Sequence, residues 1–150
     1  MKTGSDSELT QKGWINEPEY SHIKKIMPLP CVDLLIMNNN KMLIMKRNNP
    51  PLQNDWFTPG SRVLLGENLE DAVKRTLKEE TGMSAYKIEQ IGAMSQIFDE
   101  LQSITTFYKV YVKEQEILMN SEHSDYKWIG KEDVNIHPYI IHMIEMAKIF

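Results

Sequence analysis

The chain has 150 residues, 41% of them apolar and 25% charged, and a net charge of −4. That length and balance suit one domain with its own core, and the negative charge argues against a nucleic-acid binder. One cysteine, Cys31, excludes an internal disulfide. No apolar run reaches membrane-spanning length and the first residues hold no signal-peptide core, so a cytoplasmic protein is expected.

Residues 1–12 are polar and read as a mobile tail ahead of a single domain over residues 13–150. Pro18 opens a short helix over 19–27; Pro28 and Pro30 then break the chain. Residues 31–37 and 41–47 are two apolar runs joined by Asn38-Asn39-Asn40, a hairpin signal. Cys31 sits in the first run as a buried packing residue. A loop over 48–55 leads to a short strand at 61–65. Residues 86–97 and 104–112 read as strands, being rich in β-branched and aromatic side chains. A polar loop over 116–125 precedes a last strand at 126–129, and 137–150 form a helix with Ile140, Ile141, Met143, Ile144 and Ala147 mostly on one side. This order fits an α/β protein, a mixed sheet between helices.

One segment does not fit an ordinary amphipathic helix. Over 68–81 the apolar stripe is Leu69, Ala72, Val73 and Leu77. At ~100° per residue Glu80 falls on that stripe and Glu79 at its edge. Asn68 can cap the start, and Gly82 fits the left-handed residue that closes a helix. An inward carboxylate is costly unless a cation meets it. A metal ion is one answer, and Arg75 one turn back is another; Arg75 can also pair with Glu79 on the surface. Taken alone, a Glu-Glu pair on a helix is also compatible with a solvated face.

The spacing around this helix resembles the Nudix box. Glu67, Arg75, Leu77, Glu79, Glu80, Gly82 and Met83 stand at its positions, and Trp56-Phe-Thr-Pro-Gly60 resembles its entrance. Two residues depart. Ser61 takes the place of the box glycine, with a penalty if that site needs a positive φ, and Thr76 replaces the glutamate after the arginine. The resemblance implies a Nudix-type α/β/α sandwich with a mixed β-sheet. It also implies that box carboxylates hold Mg2+ or Mn2+ against a nucleoside diphosphate derivative. Thr76 cannot ligate as a carboxylate, which removes one acid from the cluster.

Beyond the box the chain resembles the GDP-mannose mannosyl hydrolases, through Pro28-Leu29 with Val32-Asp33, Leu43 to Asn48, Trp56 to Val63 and Glu122 to Trp128. That branch also lacks the glutamate after the box arginine, and it cleaves the glycosidic carbon–oxygen bond with a loop histidine as base; here that position is His123, which its polar neighbours alone would make a solvent-exposed loop residue. Glu80, with Glu79 and Glu122 next, is the candidate metal ligand, since oxygen donors suit Mg2+ or Mn2+, and the resemblance adds Gly60 through its carbonyl. Glu67 is read either as an outer neighbour of the metal or as a clamp on Arg75, with Arg75 structural. Arg62 is a candidate for the diphosphate or the departing oxygen, or else a surface arginine. Arg47 is a phosphate contact, Asp33 a sugar-hydroxyl contact or else an edge-exposed or paired acid, and Tyr20 an aromatic neighbour of the substrate or a packing residue. Glu79 and Glu122 depart from the branch and add negative charge, which favours phosphorus chemistry. Three readings follow: a nucleotide-sugar hydrolase, a conventional Nudix pyrophosphohydrolase, and a non-catalytic Nudix-fold binding module. A homodimer through the N-terminal segment is compatible with each.

Overall fold

The structure is a computed structural model that describes residues 13–133 and 135–150. The segment 1–12, read above as a tail, lies outside the described residues. The first helix, α1 (Glu17–Ile26), starts two residues before the expected position because Asn16 caps it, its side chain accepting from the Glu19 amide at 3.2 Å. The hairpin of β1 (Leu29–Asn38) and β2 (Lys41–Arg47) turns on Asn39 and Asn40, whose φ values of 51° and 59° are the pair a tight I′ turn requires.

β1 organises the sheet. It runs parallel to β6 (Gln102–Tyr111) from Leu29 to Met37 and antiparallel to β2 at its hairpin end. At its other end it pairs with β4 (Gly60–Arg62). β2 also pairs with β3 (Trp56–Phe57) and β7 (His123–Ile129), while β5 (Lys87–Ile97) closes the far edge against β6. The sheet is mixed, as expected.

Strand alternation explains the apolar runs. Val32, Leu34 and Ile36 face α2 (Leu69–Thr81), packing with Ala72, Val73 and Leu77. Leu35 and Met37 face the other layer, where α3 (Pro138–Ala147) contributes Ile140, Met143 and Ala147. A strand covered on both faces carries apolar residues at successive positions. Asp33 interrupts the second face. It is not at an edge, because β1 is central, and it is buried.

Element ends moved where local chemistry decides them. The strand expected at 61–65 is Gly60–Arg62, paired only with Cys31–Asp33. α3 ends at Ala147 because Lys148 takes φ 55° and its amide turns back to Glu145 and Ile144. β7 begins at His123, inside the segment expected to be loop. No helix among the described residues is long and apolar enough to cross a membrane.

Gly82 closes α2 at φ 73°, and its amide reaches the Lys78 carbonyl. A Cβ there would stand 3.0 Å from that of Leu118, whose amide bonds to Thr81 at 2.8 Å. Gly82→Ala should therefore lower stability by about 1–2 kcal/mol in urea unfolding, since an L side chain is strained in this region.

Candidate active site

The loop before α2 and the helix itself are fastened at one guanidinium. Arg75 donates to both Glu67 carboxylate oxygens at 2.7 and 2.9 Å, to the Arg62 carbonyl at 2.9 Å and to Glu79 at 3.3 Å. Glu67 also accepts the Leu64 amide at 3.1 Å. Burial works against the ionised Glu67, yet the Arg75 and Leu64 bonds hold its carboxyl below the ordinary range. Arg75 is thereby used up, leaving Glu80 to be met by something else.

That partner is His123. Its Nε2 lies 2.6 Å from Glu80 Oε1, with Glu80 1% exposed and His123 4%. His123 Nδ1 is buried and has no hydrogen-bond partner among the described residues. The solvent-exposed loop histidine that sequence alone allowed is thus corrected: β7 reaches further than expected and carries the ring inside. A bulge does the aiming. Lys46 pairs with Asp125 and Arg47 with His123, so one step on β2 spans two on β7.

Glu80, Glu122 and His123 form a group whose ligand atoms all lie within 4.8 Å of one another. The two carboxylates, one of them buried in the fold, supply oxygen donors that fit a divalent cation, with the imidazole beside them. Of the expected ligands, Glu80 and Glu122 come together here. Glu79 stands apart, accepting from Arg75. Gly60 lies on β4 opposite Asp33.

The two departures from the box are one another's partner. Ser61 Oγ and Thr76 Oγ1 are 2.5 Å apart and buried, with Arg75 reaching Ser61 at 3.4 Å. Ser61 is in an extended strand and does not have a positive φ, so the backbone penalty raised above does not arise. Each hydroxyl satisfies the other where an unpaired buried polar atom would be costly.

Asp33, Arg47, Gly60 and Ser61 line a cavity of about 40 Å³, together with Thr58 and Gln96. That space suits a hydroxyl group or a few waters rather than a nucleotide. Gln96 donates to Asp33 Oδ2 at 2.8 Å. Burial pushes the Asp33 carboxyl up to about 7, with the Gln96 bond and the Arg47 charge pulling the other way. Arg47 donates from Nε to the Pro51 carbonyl at 2.6 Å. Arg62 is buried, not a surface arginine, and donates to the Gly13 and Val63 carbonyls. Tyr20 is buried with Leu29, Cys31 and Leu101, its hydroxyl without a partner among the described residues. Gln96 and Thr58 carried no sequence signal. Gln96 meets Asp33 across a gap of 63 residues, and Thr58 Oγ1 is a buried orphan visible only once folded.

The NUDIX domain family model matches residues 27–148, and the chain belongs to that family. It is 28% identical over 134 residues to the low-salt glycan biosynthesis protein Agl8 of Haloferax volcanii, covering 84% of this chain and 86% of the relative. A 56-residue stretch is 45% identical to an ADP-ribose pyrophosphatase of Methanocaldococcus jannaschii, covering 37% of this chain but only 33% of that protein. A MutT NUDIX hydrolase from Burkholderia pseudomallei superposes with a TM-score of 0.73 at 20% identity, covering 81% of this chain and 98% of the other. The NUDIX domain of Shewanella oneidensis NrtR, complexed with ADP ribose, gives 0.69 at 24% identity and covers 97% of both chains. At such identities the superpositions establish the fold.

Removing Arg75 leaves the largely buried Glu67 carboxylate without its cation. Arg75→Ala should cost about 3 kcal/mol in urea unfolding, and Arg75→Lys should recover little, lacking the two-pronged geometry. Two acids impose opposite pH trends. Glu67 stabilises the fold above its ordinary 4.5 and loses that contribution as pH falls. Asp33 binds its proton more tightly when folded, so its contribution declines as pH rises from 3.8 to about 7 and is level beyond. Asp33→Asn should remove that decline, at most ~1.4 kcal/mol per pH unit, from a stability–pH curve.

Proposed function

We propose that the chain is a Mg2+- or Mn2+-dependent hydrolase of nucleotide sugars that releases a nucleoside diphosphate and the free sugar. The observation that carries this reading is the contact of His123 Nε2 with Glu80 Oε1 at 2.6 Å, inside the group completed by Glu122. Thr76 adds to it: the box position after the arginine holds a hydroxyl bonded to Ser61 and no acid.

In this reading a water oxygen bonds to the sugar carbon while the carbon–oxygen bond to the β-phosphate breaks, its electron pair leaving with the diphosphate. An ionised Glu80 places the ring proton of His123 on Nε2 and leaves the lone pair on Nδ1, which takes the proton of the attacking water. The same carboxylate then stabilises the imidazolium, as a buried acid does behind a catalytic histidine. Glu80 and Glu122 would hold the cation. When bound, the cation supplies positive charge for the departing diphosphate. Arg47 meets the diphosphate, Asp33 accepts or donates to a sugar hydroxyl in the small cavity, and Arg62 keeps Gly13 against β4. Since Nδ1 is buried in this conformation, water reaches it only when the packing around the ring opens. Asn48 holds the segment before β7 through the Glu122 and Ser121 carbonyls, each at 2.9 Å.

The second reading, cleavage within the diphosphate, is favoured by Glu122 beside Glu80 and by the local identity to an ADP-ribose pyrophosphatase. Incubating a nucleotide-sugar panel that includes GDP-mannose and ADP-ribose in heavy-oxygen water separates the two. The expected products are nucleoside diphosphate and sugar carrying the label. A nucleoside monophosphate product selects the second reading, and ligand binding without turnover at saturating Mg2+ or Mn2+ selects a binding module. His123→Gln should lower kcat by about 10²–10⁴-fold with little change in KM.

A further inference from the structure

At the hairpin end of the sheet, an open cavity of about 520 Å³ lies between the β1–β2 turn, the end of β6 and the residues after α3. It falls in the ~300–1,000 Å³ range of small-ligand pockets. Met37, on its wall, is roughly 13 Å along β1 from Asp33 at the rise of a strand, so this cavity is separate from the catalytic group.

Its wall carries Lys109 and Lys148 beside Tyr86 and Tyr111, and Lys87 and Lys113 lie against those two rings from outside the wall. The Tyr111 ring receives two ammonium groups, Lys87 at 5.2 Å and Lys109 at 5.4 Å from its centroid. Tyr86, 63% exposed, lies 6.2 Å from Tyr111 and has Lys113 at 6.0 Å. Lys148 adds a further charge from the end of α3. Lys87 pairs loosely with Glu89 at 4.0 Å, and no ion pair to Lys109, Lys113 or Lys148 occurs among the described residues. The chain as a whole carries −4, so this gathering of lysines runs against its mean charge. Like charges repel, and the arrangement is relieved by an anion. The exposed Tyr86 face offers a flat surface to a base, and Asn39 and Asn40 present amide groups beside it from the turn.

We propose that this cavity binds a nucleotide, with its phosphates on Lys109 and Lys148 and its base on Tyr86. This does not rest on the hydrolase reading. Inorganic phosphates share half of the same chemistry, and the test separates them.

ATP and tripolyphosphate are titrated separately into the full chain with excess chelator, and backbone amides are followed by NMR, which also reports whether each variant is folded. The expected result is saturable ATP shifts at Asn39, Tyr86, Tyr111 and Lys148. Tyr86→Ala should weaken ATP about tenfold and leave tripolyphosphate unchanged, while Tyr86→Phe keeps ATP binding. Lys109→Glu with Lys148→Glu should weaken both ligands more than tenfold. Shifts confined to the surroundings of Asp33, Arg47 and His123 would overturn the proposal. So would the absence of saturation, or ATP binding that is indifferent to Tyr86→Ala.

Discussion

The Arg75 guanidinium sets the geometry on which everything else at this end of the molecule depends. Its contacts join three pieces of chain: Glu67 in the loop, the Arg62 carbonyl on β4 and Glu79 on α2. Together they fix both the position and the rotational phase of α2 against β1. The phase is the important part. With Arg75 turned to the loop, the residue five positions on, Glu80, lies on the buried face beside Ala72, Val73 and Leu77. An acid is thus held where solvent cannot satisfy it, and among the described residues His123 is the group that meets it. Charged groups this poorly solvated are stable only when nearly every hydrogen-bonding position is used, and Arg75 uses most of its own.

Much of this was legible because it is local. The cap at Asn68, the left-handed Gly82, the inward Glu80 and the Arg75–Glu79 pair all follow from 3.6-residue periodicity and were read correctly. The two-asparagine turn and the doubly covered β1 follow from equally short-range rules. What escaped depends on residues far apart in the chain. Gln96 meets Asp33, Gly13 meets Arg62, and Glu122 meets Asn48 through its carbonyl; no periodicity announces such pairs. His123 looked exposed because its flanking residues are polar. The bulge that turns it inward is a property of two strands meeting, and the sequence of one of them does not show it.

The hydroxyl pair of Ser61 and Thr76 shows how a changed signature can remain self-consistent. Read singly, each residue is a defect. Together they fill one buried spot and satisfy each other without charge. The result is a site with fewer acids along α2 than the family pattern and with its imidazole brought in from β7. Arg75 keeps both of its bonds to Glu67 beside this pair and adds a longer contact to Ser61.

Gly60 carries a consequence for how this sequence can drift. A methyl group placed there would overlap the Asp33 carboxylate and stand 2.7 Å from the Val32 carbonyl. The two positions therefore form a single heritable unit, in which glycine at one is the condition for an acid at the other. A lineage that lost the acid for something smaller would gain only part of the freedom at 60, because the Val32 carbonyl still stands in the way. A lineage keeping the acid has none, whatever substrate it comes to prefer.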